Sequence, residues 1–94
     1  MTFKKGDIVK LRCEAQPGPF DDVAVTIRSE AGVVSGFVKQ SAIERRGKEA
    51  FILAKIVKVY GNAIEVQLPG SFFTSARGVA SVPRAWADTN MEHA

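Results

Sequence analysis

Few side chains in this chain are of types that do chemistry, and their placement argues against catalysis. The single histidine, His93, stands next to the last residue, Ala94. The stretch around it has no core pattern, so nothing in the sequence would orient it as a general base or a metal ligand. The single cysteine, Cys13, shares alternate positions with Val9 and Leu11. That places it on a buried face as a small hydrophobe, whereas a nucleophilic thiol needs an exposed electropositive niche. Asp21 and Asp22 are adjacent, and neighbours in an extended chain point to opposite sides. They do not make a carboxylate pair by default, and oxygen ligands nearby are too few for calcium. No glycine-rich loop of the phosphate-cradling types is present. This inventory predicts a non-enzymatic protein with no cofactor and no bound metal.

Binding chemistry is better represented. Phe72 and Phe73 lie side by side in a polar stretch that also holds Arg77. An extended segment cannot turn both rings to one core: either one is exposed to stack on a base or anchor a partner, or both fold over the open end of the barrel as a plug. Trp86 follows Pro83 and Arg84, either as a lid on the core or as the wall of a peptide groove. Arg45, Arg46 and Lys48 form the densest basic cluster, with Lys39 and Phe37 upstream of it. Such a cluster can contact phosphates. The candidate binding set is therefore Phe37, Lys39, Arg45, Arg46, Lys48, Phe72, Phe73, Arg77 and Trp86. The charge is uneven: residues 39–58 hold six basic side chains against Glu44 and Glu49, while residues 14–22 hold only Glu14, Asp21 and Asp22. The net charge of +3 suits a polyanion or simple solubility.

The elements that must position these residues read as strands. Val9, Leu11 and Cys13 alternate with Lys10, Arg12 and Glu14, which gives a first strand with one buried face. Gln16-Pro17-Gly18-Pro19-Phe20-Asp21-Asp22 is a loop. Residues 23–28 alternate as a second strand, and residues 33–38 form a third, with Gly36 marking a bulge or a close backbone crossing. Ser41-Ala42-Ile43-Glu44 reads as a capping box before Gly47, which predicts one helical turn over residues 42–46. From residue 50 the β-branched residues favour strand. Gly61-Asn62 between alternating runs predicts a type II′ hairpin. Residues 79–82 make a sixth short strand, 83–86 a closing turn, and 89–94 a disordered tail.

Segments also echo one another in order. Ile8-Val9-Lys10-Leu11 is matched by Ile56-Val57-Lys58-Val59, residues 23–27 by 64–68, and Gly32-Val33-Val34-Ser35 by Gly78-Val79-Ala80-Ser81. The expectation is an all-β fold: a small six-strand barrel or sandwich of two similar three-strand meanders with one short helical turn. At 94 residues and 46% hydrophobic the chain suits one domain, over residues 1–88. One cysteine excludes an internal disulfide and fits a reducing compartment. No run approaches the ~18–20 apolar residues that span a bilayer, and residues 1–7 lack a signal-peptide core. These features predict a cytoplasmic protein with no membrane association.

Two families share parts of this pattern. Phe3-Lys4-Lys5-Gly6-Asp7-Ile8-Val9, together with Gly32 to Glu44, resembles Src-homology-3-like domains, where a Lys-Gly-Asp turn opens a strand and a later Gly-led strand runs into a short helical turn. The aromatic peptide-binding positions and the proline usual after that strand are missing. Gly6 to Leu68 is similar to ribosomal-type OB-fold RNA-binding domains. That likeness implies RNA across strands two and three, with Phe20 and Phe37 stacking and Lys39 and Lys10 on phosphates. Residues 69–94 have no counterpart there. The sequence alone thus predicts a non-catalytic interaction module of unknown specificity. It would bind a protein partner or self-associate, the alternative being an OB-like module for RNA or single strands.

Overall fold

The computed structural model describes residues 2–29, 32–72 and 78–94, with side chains at all of these except 71 and 72. Nine strands, one 3₁₀ turn and one helix follow the order β1 (Ile8–Pro17), β2 (Asp22–Ser29), β3 (Gly32–Lys39), the 3₁₀ turn (Gln40–Ala42), β4 (Ile43–Arg46), β5 (Glu49–Val59), β6 (Ala63–Gln67), β7 (Ser71–Phe72), β8 (Val79–Pro83), α1 (Arg84–Asn90) and β9 (Met91–His93). All pairings are antiparallel, and the main path runs β7-β3-β2-β1-β5-β6-β8. This is a small, nearly closed all-β barrel. The fold class expected from alternation holds, with nine strands among the described residues where six were predicted. The echoed segments fall on β1, β2 and β3 and on β5, β6 and β8, and they succeed one another outward from the central β1·β5 pair.

Long β1 and β5 knit the barrel. Residues 8–13 of β1 pair with β5, while residues 14–17 pair with β2. Inward positions supply the core: Val9 and Leu11 from β1, Val25 and Ile27 from β2, Ile52 and Ile56 from β5, Ile64 and Val66 from β6, and Val82 from β8 are all fully buried. A bulge in β5 between Ile56 and Lys58 restores this alternation. It leaves Val57 as the extra residue, so Lys58 pairs with Glu65 on the outer face and Val59 packs on the core. The hairpin at Gly61-Asn62 is present, with Tyr60 N–H donating to the Ala63 carbonyl at 2.8 Å. Gly61 keeps a negative φ, so the turn is not type II′. The Asn62 carbonyl accepts the Arg84 N–H at 3.0 Å and links this turn to α1.

Two expectations need correction. The helical turn lies at Gln40–Ala42 rather than 42–46, and no side chain caps it. Ile43 pairs with Ile52 and Glu44 with Phe51, which draws residues 43–46 into the sheet. The Glu44 carboxylate that would close a capping box instead binds Lys10 and Arg46. The second correction concerns residues 89–94, which form the end of α1 and then β9. Ala87 and Met91, one helical turn apart, are both buried in the core. Behind Met91 the chain adds to the edge of β1, Leu11 opposite Met91 and Val9 opposite His93. No helix among the described residues is long and apolar enough to cross a membrane.

Candidate functional site

Of the basic cluster read from the sequence, Arg46 is tied into the protein by ion pairs. Arg46 pairs with both Glu44 of β4 and Glu92 of β9, and Lys10 Nζ lies 2.6 Å from Glu44 Oε1. Arg12 reaches Glu49 at 2.9 Å. Beneath these ion pairs lies Phe51, which faces outward on β5 yet is only 4% exposed. The guanidinium carbons of Arg46 and Arg12 stand 4.5 and 5.6 Å from its ring centroid. Cations over an aromatic face are attracted by its quadrupole, so these arginines roof an apolar ring and are themselves neutralised by glutamates. The outer layer across β9, β1, β5 and β4 is a structural lattice.

Titration should report that lattice. Lys10 and then Arg46 hold Glu44 below the usual glutamate range, and Arg46 does the same for Glu92. Asp7 is lowered by the Lys4 backbone N–H first and the His93 ring second. A carboxylate whose folded pKa is depressed binds fewer protons folded than unfolded. Its contribution is complete above the unfolded value, ~4.3 for glutamate and ~3.9 for aspartate, and is lost as pH falls through the folded value. Urea midpoints measured at a series of pH values should be flat above about pH 5 and fall below it. The fall should be shallower in Arg46→Ala, which releases Glu92 and leaves Glu44 depressed by Lys10 alone.

The remaining sequence candidates scatter. Phe37 is half-buried and Lys39 exposed, both on the outer face of β3, with Lys39 opposite Asp22. Arg45 and Lys48 are exposed and take part in no ion pair among the described residues. Trp86, on α1, is half-buried against the core, as a lid would be. Phe72 is described only as backbone, pairing with Gly36, and Phe73 and Arg77 lie outside the described residues. His93 is oriented after all: its Nε2 lies 3.0 Å from Asp7 Oδ2, and its ring stacks on Phe3 at 4.8 Å. Cys13 is half-buried, and burial pushes its thiol up to about 11, so it stays protonated at neutral pH. Among the described residues no three potential metal-ligating side chains come together.

A different site emerges where the β1–β2 loop meets the 3₁₀ turn and β4. A cleft of about 510 Å³ opens there. Pro17, Val23 and Ile43 supply its apolar lining, while Asp21, Asp22, Gln40 and Arg45 supply its polar groups. The loop is tied to itself. Gly18 N–H donates to the Asp22 carbonyl at 3.0 Å, and Phe20 N–H to Asp22 Oδ1 at 3.2 Å. A β-carbon at Gly18 would collide with the Asp22 carboxylate, and Asp21 takes a positive φ of 23°. An aspartate tolerates that region better than most residues. These constraints hold up Phe20, which at 81% exposure is the most exposed large apolar side chain among the described residues. Of the six sequence candidates whose side chains are described, Arg45 alone reaches this cleft. The Pro-Gly-Pro-Phe string marked the loop, but nothing in it announced that Phe20 faces solvent. The outer wall carries a second, shallower apolar area around Ile8, Leu53, Ala42 and Pro69.

Fold and site together define a small antiparallel barrel, compatible with the Src-homology-3-like and OB-like classes, that carries a mixed polar and apolar cleft at the β1–β2 loop. Comparison with family models, curated proteins and solved structures finds no match to this chain.

Proposed function

We propose that this protein is a non-catalytic interaction module that binds a polypeptide segment at the β1–β2 cleft. The observation that carries this reading is the pairing of a braced, exposed Phe20 with a concave site whose walls hold Asp21 and Arg45, neither in an ion pair among the described residues. An aromatic anchor beside a partly apolar hollow, with a few polar groups to fix orientation, is what polypeptide recognition uses. Of the basic residues read as phosphate contacts, Arg46 is already paired with Glu44 and Glu92, as are Lys10 with Glu44 and Arg12 with Glu49; the exposed Lys39, Arg45 and Lys48 are the ones a nucleic-acid reading would use. The protonated Cys13 offers no nucleophile, which favours binding over chemistry.

An immobilised pool of random fifteen-residue peptides, probed with the protein and with the Phe20→Ala/Arg45→Ala variant, tests this. Both substitutions are at exposed positions, so the variant should fold normally. The peptides retained by the wild type should bind the variant at least about tenfold more weakly, as hot-spot truncation does. Equal retention by both proteins would remove the cleft as the site.

A further inference from the structure

We propose that the polypeptide segment taken by the β1–β2 cleft is the β1–β2 loop of a second copy of this chain, so that two copies join about a two-fold axis. The inference rests on the reading of the cleft as a polypeptide site and names its occupant. All the residues that line the cleft are described. One side is the β1–β2 loop, which contributes Asp21. The other side is the 3₁₀ turn and β4, which contribute Gln40, Ile43 and Arg45. Phe20, next to Asp21 in the loop, is 81% exposed and does not line the hollow. The ring is a neighbour of the hollow rather than its filling.

A two-fold interface uses the same patch on both subunits, and each feature meets its complement across the axis. This patch holds both members of two complementary pairs. Phe20 is an apolar projection, and Pro17, Val23 and Ile43 line an apolar hollow. Asp21 is an anion and Arg45 a cation, and neither is in an ion pair among the described residues. A half-turn about an axis through the cleft mouth exchanges the loop with the opposite side. It lays each copy's Phe20 over the other's Ile43 and each Asp21 against the other's Arg45. Asp22 is engaged within the loop, where its Oδ1 accepts the Phe20 N–H. That bond and the backbone bond from Gly18 to Asp22 fix the loop before association, so little ordering opposes it. The charges also select the occupant. A wholly acidic or wholly basic segment would repel Asp21 or Arg45, whereas a second copy brings one of each sign. The contact is small. Each ring buries ~150–250 Å², and two rings with their rim stay below the ~1,200 Å² of a stable complex. The dimer is therefore weak, with a Kd of about 0.1–1 mM.

Sedimentation equilibrium of the full chain up to about 2 mM should show a monomer–dimer equilibrium. In a mixture of labelled and unlabelled protein, isotope-filtered NOEs should link the Phe20 ring of one copy to the Val23 and Ile43 methyls of the other. Two charge reversals then complete a cycle. Asp21→Arg and Arg45→Glu each set like charges against one another across the axis and should weaken association about tenfold or more. An equimolar mixture of the two variants should recover it, because one copy then carries both cations and the other both anions. Asp21 has a positive φ, so the melting temperature of Asp21→Arg is measured alongside. Arg45→Glu, on an exposed strand position, carries the same expectation without that constraint. The proposal is overturned by a chain that stays monomeric at about 2 mM, by a dimer that Phe20→Ala and Arg45→Glu leave intact, or by a mixture no stronger than either variant alone. A monomeric wild type whose pool peptides still depend on Phe20 and Arg45 would overturn self-association only and keep the cleft as a peptide site. Equal peptide retention by the wild type and the Phe20→Ala/Arg45→Ala variant is the separate result that removes the cleft itself, and the inference with it.

Discussion

A chain ending at Pro83 is expected to lose cooperative unfolding. The eleven residues removed are α1, β9 and Ala94. Ala87 is fully buried and Met91 is 5% exposed, and both pack with Val9 and Leu11 in one cluster. Burying a methionine side chain contributes ~1.5–3 kcal/mol, and the half-buried Trp86 adds area of its own. Removal also strips β9 from the edge of β1 and Glu92 from Arg46. The sum is several kcal/mol against a total stability of ~5–15 for a small domain. Met91→Ala isolates one part of this and should cost about 2–4 kcal/mol, lowering the melting temperature by roughly 10 °C or more. Circular dichroism melts check both. A truncated chain that melts within a few degrees of the full one would show that the C-terminal segment only decorates the barrel.

Gly70→Ala should be strongly destabilising. Gly70 has a φ of +75°, a region that L side chains rarely adopt. A β-carbon there would lie 2.9 Å from Val38 Cγ1 and closer still to the Phe37 carbonyl oxygen. The backbone of β3 cannot retreat without breaking its ladder to β2. Gly47 is the control, with a φ of +60° and open space around it. Gly47→Ala should cost about 1–2 kcal/mol, the left-handed penalty alone. Gly70→Ala should cost about 3 kcal/mol or more, since steric strain of ~1–3 adds to that penalty. Urea unfolding of the two variants side by side decides it. Equal losses would mean that β3 yields easily at this crossing.

Much of the barrel could be read from residues because alternation reports a strand whose one face is buried. Val9 and Leu11, Val23 to Ile27, and Ile64 to Val66 all announced themselves in this way. What escaped reading depended on contacts remote in the chain. Ser41 to Glu44 carries the letters of a capping box, yet Glu44 gains more from Lys10, thirty-four positions away in sequence. Ala87 and Met91 are a weak helical signal in isolation and become core only because β1 offers both a surface and a free edge. The basic cluster was legible as a cluster, but the pairing of its Arg46 was not, since Glu92 lies forty-six positions from Arg46. The cleft shares one residue with the sequence candidates, Arg45. Its other groups come from a loop whose prolines and glycine foretell a turn, not what the turn displays.

The measurement that bears most directly on the proposed function is an amide-shift titration of the labelled protein. A retained fifteen-residue peptide would be added to one sample and a mixed-sequence single-stranded RNA to another, each at low and then moderate salt. The polypeptide reading predicts peptide shifts centred on Phe20, Asp21, Gln40 and Arg45 that survive the added salt, with no comparable RNA response. RNA shifts centred on Phe37, Lys39, Arg45 and Lys48, fading steeply as salt rises, would contradict it and make the protein a nucleic-acid binder.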